Sequence, residues 1–187
     1  MVKNTELFCA LSDHVGDAVV DSCKILMDAG VDFLWFPTPN FGGYCISRKT
    51  YEKCISKSNI HALKRIKENG AWIVLHTCGL YDDRFDLVLD ESGDAWHISD
   101  TSTKKIKEQY GDKVALMGSI PCVPVLMEGT EQEVYDFCYK ECMDAAKDGR
   151  FILSGDCDVP PGTSDENMKA AVRAAKDAEK VLFGKAE

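Results

Sequence analysis

The sequence has no apolar run approaching the roughly 20 residues that a helix needs to cross a bilayer, which argues against a membrane-spanning protein. It also lacks the basic-then-apolar order of a secretory leader, since the opening MVKNTELFC mixes polar and apolar residues. Basic residues are in deficit, 22 Lys and Arg against 31 Asp and Glu, and a net charge of -9 repels a phosphate backbone. Neither nucleic acid nor membrane is therefore an expected partner. No internal repeat, low-complexity tract or linker interrupts the 187 residues, so a single domain over 1–187 is expected. Its 45% hydrophobic content is enough for a real core.

What the chain does have is cysteine, nine in all. With no export signal, the expected location is cytoplasmic and the thiols reduced, so metal binding or catalysis becomes the question. Cys23, Cys54, Cys138 and Cys142 fall within helical patterns and read as core residues. Cys45 and Cys122 lie near strand ends and stay open.

Apolar periodicity predicts helices over 17–29, 51–69, 83–92, 103–110, 131–147 and 164–183. Between them, short apolar runs over 31–36, 71–75, 95–98, 114–117 and 151–153 read as buried strands. Thr130 with Glu133, and Thr163 with Glu166, have the spacing of capping boxes. Five strands alternating with helices imply α/β architecture with a parallel sheet, either doubly wound or part of a (β/α)8 barrel. A complete barrel takes about 250 residues, so on that reading roughly three βα units are wanting.

The second strand runs into His76, Thr77, Cys78 and Gly79. Residues two apart in extended chain point the same way, so His76 and Cys78 form a two-ligand clip at the strand end. A catalytic zinc takes three protein ligands, and Cys157, following the last strand in SGDCDVPPGT, is the candidate third. Soft thiolates beside imidazole favour zinc over magnesium or calcium. Asp100 follows the third strand as an oxygen ligand, an acceptor for His76, or a cap for the next helix. His97 reads as a packing residue.

The stretches His76-Thr77-Cys78-Gly79, Gly118-Ser119-Ile120-Pro121, Glu128-Gly129-Thr130 and SGDCDVPPGTSDEN together resemble the uroporphyrinogen decarboxylase superfamily. The resemblance runs from about Ala29 to the end. Its decarboxylases usually carry histidine where Cys157 stands and lack the His-x-Cys pair. The closer likeness is therefore to the zinc-dependent methyltransferases that act on methylcobamides, such as those methylating coenzyme M. That resemblance implies the last five or so βα units of a (β/α)8 TIM barrel, with Zn2+ on His76, Cys78 and Cys157; Asp100, taken as the catalytic residue from its place after the third strand, would hold the resting metal and yield to substrate. It further implies a corrinoid (methylcobamide), as substrate or on a partner corrinoid protein, and a thiol substrate. The loop 37–44, where the family often places an acidic residue, is a departure. A homo-oligomer, or a complex with an N-terminal half-barrel chain, would make good the wanting strands. A partial, non-catalytic subunit and a decarboxylase-like lyase are the alternatives.

Overall fold

The computed structural model describes residues 4–38 and 40–184. By internal contacts the chain divides into two compact units, Met1–Ala95 and Trp96–Glu187.

In the first unit, helix α1 (Thr5–Asp28) starts at Thr5 rather than at 17, because Asn4 caps it by accepting a hydrogen bond from the Leu7 amide at 2.9 Å. Leu7, Leu11 and Val15 recur at helical spacing ahead of the predicted start, all three exposed, with Leu11 and Val15 at the rim of a groove against α3. Strand β1 (Phe33–Pro37) pairs in parallel with β2 (Trp72–Thr77), Phe33 opposite Trp72 and Pro37 opposite His76. Alternation sorts their side chains into two faces. Leu34, Ile73 and Leu75 are buried, whereas Phe33, Trp35 and Trp72 are 59%, 43% and 65% exposed. β2 extends two residues beyond the predicted end and takes His76 and Thr77 into the strand.

The helix expected over 51–69 is a composite. α2 (Arg48–Thr50) passes into a π-helical turn, Tyr51–Ser56, and then α3 (Lys57–Glu68). The π turn buries Tyr51, Cys54, Ile55 and Ser56. A groove of about 460 Å³ lies among α1, α3 and the strand ends, lined by Phe8, Val15, Phe36, Leu63 and Ile66. α4 (Phe85–Asp90) completes this unit's helices.

The second unit begins within β3 (Ala95–Ile98), every residue of which is buried. α5 (Thr103–Tyr110) follows, capped by Ser102, which leaves Asp100 no capping role. β4 (Ala115–Met117) pairs in parallel with β5 (Phe151–Ile152), Leu116 opposite Phe151, and an isolated bridge joins Ile120 to Gly155 further on. Between β4 and β5 lie a π-helical turn, Cys122–Met127, and α6 (Glu131–Ala145), which starts with the predicted Thr130–Glu133 box. The second predicted box does not form. α7 (Asp165–Phe183) is capped by Ser164, which accepts from Asn167 N at 3.1 Å, while the Thr163 hydroxyl donates to Pro160 O. The Asn167 amide donates to Leu126 O and Gly129 O, and this ties the helix start at Ser164. Ile120, Leu126, Val134, Cys138, Ala170 and Ala174 make the core beneath α6 and α7. Among the described residues no helix is long and apolar enough to cross a membrane.

Candidate functional site

Within the first unit the clip is set by backbone as much as by side chains. His76 is 2% exposed near the end of β2. Its carbonyl accepts two hydrogen bonds from Thr38, from the amide at 3.0 Å and the hydroxyl at 2.9 Å. The Tyr81 hydroxyl in turn sits 2.8 Å from both the carbonyl and the hydroxyl oxygen of Thr38. Burial raises the Tyr81 phenol above its ordinary pKa, so it stays a donor. The Trp35 ring stacks on the imidazole, centroids 5.0 Å apart and planes 24° from parallel. The strand thus delivers a histidine whose backbone and ring are both held.

Half-buried Cys78 follows, and the chain then turns sharply at Gly79, whose φ of 93° a side chain would resist. The loop after β1 closes over this turn, with Gly43 N donating to Leu80 O at 2.6 Å. Arg84, only 1% exposed, fastens the same loop by donating to Phe41 O at 2.7 Å and Ile46 O at 3.1 Å. Its guanidinium lies 5.3 and 5.8 Å from the Tyr51 and Tyr81 ring centroids and pairs with Asp83 at 2.7 Å. That bond holds the Asp83 carboxyl below the usual carboxylate range. Beneath lies Glu91, 2% exposed, which accepts from Tyr51 Oη at 2.6 Å and Asn59 Nδ2 at 3.0 Å. Burial pushes its pKa up to about 7, against the pull of those hydrogen bonds.

In the second unit Cys157 is exposed, on the irregular segment after β5. Asp100 is also exposed, two residues past β3, with φ of 49°. His97, expected only to pack, is buried and bonds through Nε2 to Gly155 O at 2.6 Å. Cys122 is buried too, and burial raises its thiol pKa. Cys138 and Cys142 are core residues of α6, as their spacing implied. Exposed Cys45 and buried Cys23 and Cys54 complete the cysteines singled out above. Thr38, Tyr81, Arg84 and Glu91 are the supporting residues that sequence reading passed over. No local signal marks them, because their partners lie 32 to 43 residues away.

Comparison with known proteins places these features in a family. A family model for uroporphyrinogen decarboxylase (URO-D) matches residues 1–178. A methylated-thiol–coenzyme M methyltransferase of Methanosarcina mazei is 26% identical over 169 residues, 90% of this chain and 44% of the relative. A methylcobamide:CoM methyltransferase, MtaA, of Methanosarcina barkeri is 25% identical over 94% of this chain and 50% of the relative. Among solved structures, a methyltransferase from Methanosarcina mazei superposes with a TM-score of 0.78 at 20% identity, covering 87% of this chain and 47% of its own. The chain thus spans about half the length of the relatives it matches. Its fold is α/β, a partial (β/α)8 barrel of five strands.

Proposed function

Because the chain belongs to the uroporphyrinogen decarboxylase (URO-D) family, we propose that it serves a zinc-dependent transfer of a methyl group between a methylcobamide, borne on a corrinoid protein, and a thiol. The names of the curated relatives support both ends of that transfer. The observation that carries the reading is the kind and placing of the donors: His76 and Cys78 at the end of β2 in the first unit, and Cys157 on the segment after β5 in the second. One imidazole and two thiolates suit zinc, and three protein ligands leave the open position of a catalytic site. The residues present therefore fit the metal.

Zinc at such a site supplies the positive charge that lets a thiol lose its proton near neutral pH. The chain's own residues orient the donors. Thr38 and Trp35 fix the His76 carbonyl and ring, and Gly79 and Arg84 shape the turn after Cys78. To Asp100, exposed two residues past β3, we assign the role of an oxygen donor that a thiol would displace. In such a transfer the thiol proton would pass to solvent, and the sulfur's electron pair would form the sulfur–methyl bond as the methyl–cobalt bond broke, its pair staying with the corrinoid. The exposed face of Phe33, Trp35 and Trp72 further supports a second chain, a half-barrel partner or another copy, that covers it. The same face favours a second reading, a partial subunit that binds zinc without turnover.

Metal analysis and a methyl-transfer assay test the proposal together. We expect one zinc per chain in protein purified without added metal, lost in Cys78→Ser and in Cys157→Ser, and transfer from methylcobalamin to a thiol that follows zinc content. Zinc-free wild type, or variants that keep full zinc, would refute the site. Zinc without transfer would favour the partial subunit.

A further inference from the structure

The segment that bears Cys157 has little regular structure, yet its backbone is pinned at successive residues. Ile120 N donates to Ser154 O at 2.9 Å, and Asp156 N donates to Ile120 O at 2.8 Å. His97 Nε2 donates to Gly155 O at 2.6 Å, in the tautomer that bears its proton there. Two of the remaining ties come from a single residue, Cys122. Its amide donates to Asp156 Oδ1 at 3.0 Å, and its thiol donates to the Cys157 carbonyl at 3.3 Å. Gly155 makes room for this approach, since a Cβ there would stand 2.6 Å from Cys122 Sγ. Cys122 is 5% exposed, while the Cys157 side chain it supports is exposed.

We propose that Cys122 is a positioning residue for the metal centre: its buried thiol, bonded to the Cys157 carbonyl, fixes the backbone from which the Cys157 sulfur reaches the ion. This rests on the zinc reading above. Outer groups that orient a ligand are commonly worth 10- to 100-fold in metal affinity. A core cysteine without such a bond is worth nothing to the metal, however well it packs. Cys138, 0% exposed on the inner face of α6, supplies that contrast within the same unit.

The test is zinc affinity of the full chain by competition with a chromophoric chelator, in wild type, Cys122→Ala, Cys122→Ser and Cys138→Ala, with urea unfolding run beside each. Cys122→Ala should bind zinc roughly 10- to 100-fold more weakly at unchanged stoichiometry. Cys122→Ser, whose hydroxyl can donate to the same carbonyl, should recover most of that loss. Cys138→Ala should lose stability and keep wild-type affinity. Three results overturn the positioning role while sparing the zinc site: unchanged affinity in Cys122→Ala, no recovery in Cys122→Ser, or an equal loss in Cys138→Ala. Wild type that binds no zinc overturns both proposals.

Discussion

The two units hold their candidate ligands in opposite ways. In the first, His76 lies in a strand, at 2% exposure, backed by a buried network of Thr38, Tyr81, Arg84, Tyr51 and Glu91. In the second, Cys157 lies on an exposed segment, tied by backbone hydrogen bonds and by one thiol. The difference teaches that preorganisation can be built from side chains or from main chain, at unequal stakes. A buried charged network left half-satisfied costs the desolvation of every orphaned group, whereas an exposed segment that loses a tie regains water. Damage to the first ligand should therefore show as lost stability, and damage to the second as lost affinity.

The largest expected effect is at Arg84. Replacing it with Met removes a buried charge from its partners and orphans two half-buried carbonyls, Phe41 O and Ile46 O, and should cost about 3 kcal/mol in urea unfolding. Asp156→Ala in the second unit should cost about 1 kcal/mol, because Asp156 is only half-buried. Equal losses at the two sites would break the comparison.

Glu91 adds a pH dependence to the first unit. Its folded pKa, about 7, is above its ordinary 4.5, so between those values the folded state binds more protons than the unfolded one. Stability should then be greatest in the acid part of that window and fall as pH rises through about 7, by at most on the order of 3 kcal/mol. Urea midpoints between pH 5 and 8, compared with Glu91→Gln, measure it. A slope that survives in Glu91→Gln would mean another group is responsible.

The smallest effect is at Thr38. Thr38→Val removes one hydroxyl bond to His76 O and one partner of Tyr81, and should cost about 1 kcal/mol. The Thr38 amide bond to His76 O remains, so zinc binding should survive. Loss of zinc in Thr38→Val would move His76 into the class assigned to Cys157, where affinity rather than stability responds.

The order of strands and helices was legible in the sequence, as were the residues at strand ends that could offer metal ligands. Strand ends can be read locally: a short apolar run, then His76-x-Cys78, or a Gly-rich segment around Cys157. Burial of charge cannot. Arg84 and Glu91 look like surface residues in sequence, and their interiors are assembled by Phe41, Ile46, Tyr51 and Asn59 from elsewhere in the chain. The first turns of α1 lie ahead of the predicted start, where Leu11 and Val15 line an open groove and stay more than half exposed. The α7 cap was misplaced by one residue because Thr163 and Ser164 compete for it, and Asn167, bonded to Leu126 O and Gly129 O, ties the start at Ser164. His97 could not be assigned a direction from alternation, and its bond to Gly155 spans 58 residues.

The π-helical turn Tyr51–Ser56 bears on how this chain can change length. An α-helix advances about 100° per residue, and a π turn accommodates one residue beyond that regular winding. Removing a residue there would let α2 and α3 fuse into regular helix. Everything ahead of the deletion would then swing by about 100°, taking Arg48 off Asp86 and the Tyr51 hydroxyl off Glu91. The helical run from Arg48 to Glu68 is thus phase-locked, and insertions or deletions inside it should not be tolerated.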